Sequence, residues 1–447
     1  MVFFNITVGL APALKANRIF YADFMKNCVR KPLLSAGVLA GLYFILLNDA
    51  ICRLLQDWVT AFHRAGLDGA VFALFCAVLL VSIGMYFARS PLLQRPNADV
   101  SRHYVAPRTV AVTEVGRRNL IVIQAESYEA SFRDADRFGR NLLKPLDELP
   151  GCSFAGIDPC AGVTWTASAE LAYLFGAPFY PSKEMVRNFR RLNEAGQFMP
   201  NVVGLGDILK QRGYTCVAMQ GHPARFHNFN AIFGGHGFDR IYGLDELIGR
   251  RRVPLGEWGL FDEDLFGHAL DELKALNAAG QNHLVYIVTC DTHGPRGCPP
   301  PSLLVQKPHP SYADVVEHSA EAIGSFIAAL GDRGYLDTTD IAIIGDHPGP
   351  SGIAASTDAP WETRKLYNRF VSTRDVLPCR KTLNQFDIFP TLVEFAGFRV
   401  AGGRLGLGQS GFSPDEGMSE ATRAFLRAHA YSSATIYDDF WRMPSPR

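Results

Sequence analysis

The segment DIAIIGDHPGP, residues 340–350, runs from a short apolar stretch straight into an acid, an imidazole and a helix breaker. The apolar part is too short for a helix and has no polar alternation. It therefore reads as a strand buried on both faces, as in parallel sheets. Two other runs have the same texture, LIVIQ at 120–124 and HLVYIVT at 283–289, and a further strand is expected around Tyr214 to Met219. Longer amphipathic stretches lie between them, and these predict helices over Ala167–Phe175, Val203–Arg212, Glu263–Leu276 and Ala313–Leu330. Such an alternation predicts an α/β fold, a sheet wrapped in helices.

In open α/β sheets ligands bind beyond the carboxyl ends of the strands. The residues that follow each strong run are therefore the ones to inspect. LIVIQ is followed by Ala125 and Glu126, HLVYIVT by Cys290, Asp291, Thr292 and His293, and DIAII by Gly345, Asp346 and His347. Three strands thus deliver ionisable groups to one edge. Glu126, Asp346 and His347 together suit a divalent cation, Mn²⁺ or Zn²⁺, with Mg²⁺ possible where oxygen donors dominate. Each also has a plain structural role open to it: a helix cap for Glu126, a turn for Asp346, core packing for His347. Thr166, in GVTWTASAELAYLFGAP (162–178), stands just before a predicted helix. A helix N-terminus favours a bound anion, and coordination to a metal would turn a hydroxyl there into a nucleophile. A simple N-cap threonine is the competing reading, and Thr164 and Ser168 are neighbouring candidates.

The chain has 447 residues, enough for one large α/β domain and a smaller unit. Its 44 basic and 44 acidic residues balance, which leaves no electrostatic footprint for nucleic acid. Pro32–Asn48 and Gly69–Ala88 are free of charge, and a bilayer-crossing helix needs roughly 20 apolar residues. Residues 1–90 are accordingly expected to form a transmembrane anchor, with a pair of buried core helices as the alternative. Residues 91–118 are polar and proline-containing and read as a linker, and 119–447 as the catalytic domain. Lys26, Arg30 and Lys31 argue for a cytoplasmic start, and two spans would then return the domain to the cytoplasm. An odd number of spans would place it outside. Cys152, Cys160, Cys216, Cys290, Cys298 and Cys379 fall beyond the anchor. Their even number permits disulfides, Cys152/Cys160 and Cys290/Cys298 being close in sequence, and reduced core cysteines fit equally well.

Taken together, NLIVIQAESYE (119–129), TASAELAYLFGAP (166–178), GLFDEDLF (259–266), TCDTHGP (289–295), IIGDHPG (343–349) and QFDIFPTLVEFAG (385–397) form an ordered set. That set resembles the sulfatase-fold phosphoglycerol transferases of the alkaline phosphatase superfamily, the family of lipoteichoic acid synthase and the periplasmic glucan phosphoglycerol transferase. The likeness covers about residues 119 to 412, and RLGLGQSGF (404–412) and Asp291-Thr292-His293 look more like the glucan-modifying branch. It implies a sulfatase/alkaline-phosphatase-like mixed sheet flanked by helices and preceded by transmembrane helices. By the same resemblance Glu126, Thr166, Asp346 and His347 are metal ligands, Thr166 is also the nucleophile, and His293 contacts the transferred phosphate. No C/S-x-P-x-R motif surrounds Thr166, which argues against a sulfate ester as substrate.

The headgroup stretch departs from the teichoic acid branch. QGHPARFHNFN (220–230) has Gln220 where that branch has a His, His227 where it has a Trp and Phe229 where it has an Arg. His222, Arg225 and His227 are the substrate-binding candidates that remain. The resemblance thus implies a membrane-embedded enzyme of the bacterial inner membrane with an extracytoplasmic catalytic domain. It would move phosphoglycerol from phosphatidylglycerol to a glycan through a phosphoryl-threonine intermediate, with Mn²⁺ as the first choice of metal. Phosphoethanolamine transfer, phosphodiester hydrolysis and a catalytically silent glycan-binding homologue are the alternatives. An intact ligand set argues against the last.

Overall fold

In the computed structural model, described residues are 100–180, 198–249, 254–349, 359–415, 417–432 and 434–442. The expected anchor lies outside them. Among the described residues no helix is long and apolar enough to cross a membrane.

The centre is a six-stranded sheet. Its strands, in chain order, are β1 (Asn119–Ala125), β2 (Thr215–Gln220), β3 (Arg240–Tyr242), β4 (His283–Val288), β5 (Thr339–Gly345) and β6 (Asn368–Val371). Their order across the sheet is β6-β5-β1-β4-β2-β3. All neighbours are parallel except β5 and β6, whose pairing of Asn368 with Ile344 and Val371 with Ile341 is antiparallel. The sheet is therefore mixed, as the family resemblance implied. The two edge strands are short and half-polar, which is why their sequences give no strong strand signal.

Every residue of β1, β4 and β5 is buried, and alternate residues serve two cores. Leu120, Val122, Tyr286, Ala342 and Ile344 face a layer containing helices α1 (Thr166–Phe175) and α5 (Ile388–Phe395). Ile121, Ile123, Val285, Ile287, Ile341 and Ile343 face α3 (Asp262–Ala278) and α4 (Tyr312–Gly331). Helix α2 (Phe229–Gly234) follows the β2 loop. Full burial of one Val, Leu or Ile side chain is worth about 1.5 to 3 kcal/mol, so this set together fixes the strand register firmly. That register brings Ala125, Val288 and Gly345 to one edge.

Residues 100–118, within the stretch read as linker, contain a short strand, Val112–Glu114, that pairs antiparallel with Phe398–Val400. The six cysteines of the described residues are free, and Cys160, Cys216, Cys290 and Cys298 are buried. These four take the core role of the two that the sequence allowed, while Cys152 is half-buried and Cys379 exposed.

Candidate active site and metal centre

Glu126 follows β1 directly, and Asp346 and His347 follow β5. Parallel pairing of Ala125 with Gly345 sets these three side by side. One donor atom from each lies within 4.8 Å of the other two. His347 Nε2 is 3.5 Å from Glu126 Oε1 and 3.4 Å from Asp346 Oδ2. His347 Nδ1 lies 3.1 Å from the Pro348 carbonyl, which can only accept, so this nitrogen carries a proton and Nε2 is left facing the carboxylates.

Thr166 joins the cluster from α1. Trp165, not Thr166, is the N-cap of that helix. The capping is done by Ser168, whose Oγ accepts from Trp165 N at 3.1 Å and donates to Trp165 O at 2.6 Å. The Thr166 hydroxyl is thereby released from helix duty and donates to Glu126 Oε2 at 3.0 Å. The ten-residue helix behind it presents its positive end to the same place.

A layer of buried hydrogen bonds holds these groups. Ser127 N and His347 N both donate to Asp346 Oδ1 at 2.7 Å, and Ser127 Oγ donates to Glu126 Oε1 at 2.7 Å. Gln385 Nε2 donates to the Asp346 carbonyl at 2.7 Å, and Tyr173 OH to the Gly345 carbonyl at 2.6 Å. Gln124, buried inside β1, donates to the Thr166 carbonyl at 3.2 Å and accepts from Tyr286 OH at 2.6 Å. Thr292 Oγ donates to the Glu126 carbonyl at 2.6 Å and ties the β4 loop to the β1 end.

The electrostatics are those of a site that expects a cation. Burial would raise the Glu126 pKa, yet His347, His293 and the Ser127 and Thr166 hydroxyls outweigh it and hold it down to about 2. Burial and the Glu126 charge push Asp346 up to about 7. His347 is raised although burial opposes it, because Asp346 and Glu126 both favour its charged form. Asp346 Oδ2 is buried with no hydrogen-bond partner. An orphaned carboxylate oxygen beside a second carboxylate, an available imidazole nitrogen and a hydroxyl fits a divalent cation.

Beside this cluster lies an aromatic pocket. His293 follows the β4 end, and its ring centroid is 4.0 Å from that of Trp258. His222, from the loop after β2, stacks on Phe226 at 4.9 Å and meets Trp258 at 5.8 Å. Phe226 and His227 are 3.7 Å apart. His227 and Asn228 both adopt positive φ, 56° and 62°, a strained choice for two successive side-chain-bearing residues. Burial, aided by the charge on His293, lowers the His222 pKa to about 4, and His227 falls to about 3 for the same reasons with His222 added. Both imidazoles are neutral at pH 7. Arg225 is brought elsewhere: its side chain is 79% exposed and faces Asp245 at 3.7 Å.

Sequence reasoning placed the ligand cluster and His293. It named Thr292 at the β4 end without giving it a role, and passed over Gln124, Ser127, Gln385 and Trp258. Gln124 did carry a signal, as a polar residue inside an otherwise apolar run, and Gln385 lies in a quoted motif. Trp258 carried none, because a lone tryptophan in a loop is equally at home in a core.

The sulfatase family model matches residues 118–398. Phosphoglycerol transferase I of Xanthomonas euvesicatoria pv. vesicatoria is 28% identical over 332 residues, covering 70% of this chain and 45% of the relative. Phosphoglycerol transferase I of Salmonella paratyphi B is 28% identical over 312 residues, covering 66% and 39%. The chain thus spans about half the length or less of these curated relatives. Among solved structures, the lipoteichoic acid synthase LtaP from Listeria monocytogenes superposes with TM-score 0.52 at 20% identity, covering 68% of this chain and 79% of that one. An alkaline phosphatase superfamily protein from Vibrio parahaemolyticus gives 0.51 at 23%, covering 69% and 74%. The fold is the mixed α/β sheet of that superfamily.

Proposed function

Because the chain belongs to the sulfatase family, we propose that it is a phosphotransferase moving phosphoglycerol from phosphatidylglycerol to a glycan hydroxyl. The observation that carries this reading is the Thr166 hydroxyl, freed from capping its own helix and held on Glu126 at 3.0 Å. Relatives at 28% identity that are named phosphoglycerol transferase I supply the choice of group.

Thr166 Oγ attacks the lipid phosphorus and passes its proton to Glu126 Oε2, the acceptor it already faces at 3.0 Å. The bond from phosphorus to the diacylglycerol oxygen breaks, and His293 gives that oxygen a proton. The glycan hydroxyl then attacks the phosphoryl-threonine and returns a proton to His293, the bond from phosphorus to Thr166 Oγ breaks, and Oγ takes its proton back from Glu126. Glu126, Asp346, His347 and Thr166 would hold a divalent cation, Mn²⁺ first and Zn²⁺ or Mg²⁺ next, which lowers the hydroxyl's pKa and offsets phosphate charge. Gln124 and Ser168 keep Thr166 at the mouth of α1, where the helix end stabilises the added negative charge. Residues 1–90 would anchor the domain on the outer side of the inner membrane, beside its lipid donor.

A second reading has an observation of its own. The pocket next to His293 offers the faces of Phe226 and Trp258 and neutral imidazoles, while Arg225 points away. Aromatic faces attract an ammonium, so phosphatidylethanolamine is the competing donor.

Mass spectrometry after incubation with each lipid separately decides. A glycerol phosphate adduct on the Thr166 peptide, absent in Thr166→Ala, supports the first reading. An ethanolamine phosphate adduct there supports the second. Free glycerol phosphate released without acceptor marks a hydrolase, and no adduct or release with either lipid sinks the enzymatic reading.

A further inference from the structure

A second cluster sits on the other side of the β4 end and has no part in the chemistry above. Asp262, the first residue of α3, is fully buried, and Cys290 and Asp291, which follow β4, are each 2% exposed. One donor atom from each of the three lies within 4.8 Å of the other two. Asp262 holds the loop through its backbone: Oδ1 accepts from Cys290 N at 2.8 Å and Oδ2 from Asp291 N at 3.2 Å. Asp291 Oδ2 accepts from Asp262 N at 3.1 Å in return. The other oxygen, Asp291 Oδ1, is buried with no hydrogen-bond partner.

Such a cluster is costly unless something positive enters it. The charges that bear on the pair are other carboxylates, Glu126 on Asp262, and Asp262, Glu263 and Asp264 on Asp291. Hydrogen bonds to Asp262 from the Cys290 and Asp291 backbones and from Ser319 offset them only in part. Two buried acids without a counter-charge must take up protons or bind a cation, because burial and mutual repulsion both penalise the ionised form. A proton on the pair would answer for one charge. The Cys290 thiol, which donates to the Leu260 carbonyl at 3.5 Å, also lies within reach of both carboxylates, and a thiol beside two carboxylates suits a borderline cation such as Zn²⁺ better than Mg²⁺ or Ca²⁺.

We infer that Asp262, Cys290 and Asp291 form a second divalent-cation site, of zinc type and structural in role, separate from the Glu126 cluster. Binding releases the thiol proton and any carboxyl proton to solvent. The site joins the start of α3 to the loop that carries Thr292 and His293, and Thr292 in turn grips the Glu126 carbonyl. Its loss would loosen the loop holding His293 without removing any group from the reaction.

The test uses the full chain, stripped with chelator and reloaded with Co²⁺, and does not depend on activity. No ligand of the Glu126 cluster contains sulfur, so a thiolate-to-cobalt charge-transfer absorption reports the second site alone. The band is expected in the wild type and in Glu126→Gln, and is expected to vanish in Cys290→Ser. In Asp291→Asn the Co²⁺ concentration needed for half-saturation should rise by more than about tenfold. Should Cys290→Ser fail to fold, as judged by circular dichroism, the Asp291→Asn titration keeps the question open to refutation. The proposal is overturned by absence of the band in the wild type, by its survival in folded Cys290→Ser, or by unchanged half-saturation in Asp291→Asn. A Cys290–Cys298 disulfide in the native protein, found by thiol counting, would overturn it as well.

Discussion

The ligand cluster and the aromatic pocket are neighbours built on opposite principles. Glu126, Asp346 and His347 directly follow paired, fully buried strands, and hydrogen bonds fix the backbones of Glu126 and Asp346 on both their N–H and C=O groups. His222, Phe226 and His227 stand on a loop with a single turn of 3-10 helix and two strained residues. The rigid part carries groups whose positions the chemistry fixes to a fraction of an ångström. On the proposed reading the irregular part carries those that would choose the headgroup, and a loop can change there without disturbing the strand ends.

The comparison breaks most sharply at Thr166. Thr166→Ala should lower diacylglycerol release by about 10⁴-fold or more, the scale seen when a covalent nucleophile is deleted. Thr166→Ser should keep measurable activity, since the hydroxyl survives. Equal loss in both variants would mean that the methyl group, and hence packing, matters more than the nucleophile. Among pocket variants no comparable fall is expected.

Removing the metal should act on stability as well as rate. Chelation leaves Glu126 and Asp346 buried together with the His347 and His293 imidazoles and nearby hydroxyls to offset them. At a free metal concentration about 100-fold above Kd, the bound ion stabilises by roughly 2.7 kcal/mol. Melting should therefore drop by a few degrees on chelation in the wild type, and by clearly less in Glu126→Gln or Asp346→Asn. A wild-type melting curve indifferent to chelator would refute the assignment of this cluster as a metal centre.

The cluster was legible in the sequence, and the pocket only in part, through His222 and His227. Short charge-free runs announced the inner strands, and the first ionisable residues after them come together at one edge, because buried parallel strands leave few ways to pair. The direction of β6 and the existence of β3 were hidden. Both are edge strands with half-polar sequences that tertiary contacts, not local pattern, hold in place. The pocket depends on positive φ at His227 and Asn228 and on Trp258 arriving from a distant loop. Nothing in a histidine or an asparagine announces that its backbone is in the left-handed region.

The pocket's imidazoles make a pH signature that the ligand cluster does not share. His222 has its pKa lowered to about 4 by burial, whereas an unfolded histidine titrates near 6.5. Below pH 6.5 the unfolded chain takes a proton that the folded chain refuses, so stability falls as pH drops from about 6.5 to 4. The contribution of this one group is about 3 kcal/mol across that window. His222→Gln should flatten the stability curve over the window and leave it unchanged above pH 7. Parallel curves for wild type and variant would show that His222 is solvated, and that the pocket is open rather than enclosed.

The smallest effect is expected where charge alone would have drawn attention. Arg225 lies in the headgroup stretch and is its one permanent cation, so a sequence reading sets it against the lipid phosphate. The fold turns it outward to Asp245 at 3.7 Å, with its side chain 79% exposed and Asp245 60% exposed. An exposed pair at that separation contributes little, about 0 to 1 kcal/mol at most. Arg225→Ala should thus change KM for the lipid by less than about twofold, while Trp258→Ala, which strips the wall against His293, should raise it by more. A large KM increase in Arg225→Ala would mean that the His222–Asn228 loop swings inward when the lipid binds. Its two left-handed residues would then be strain held ready for that movement, and the contrast between rigid and irregular halves would become one between fixed and moving parts.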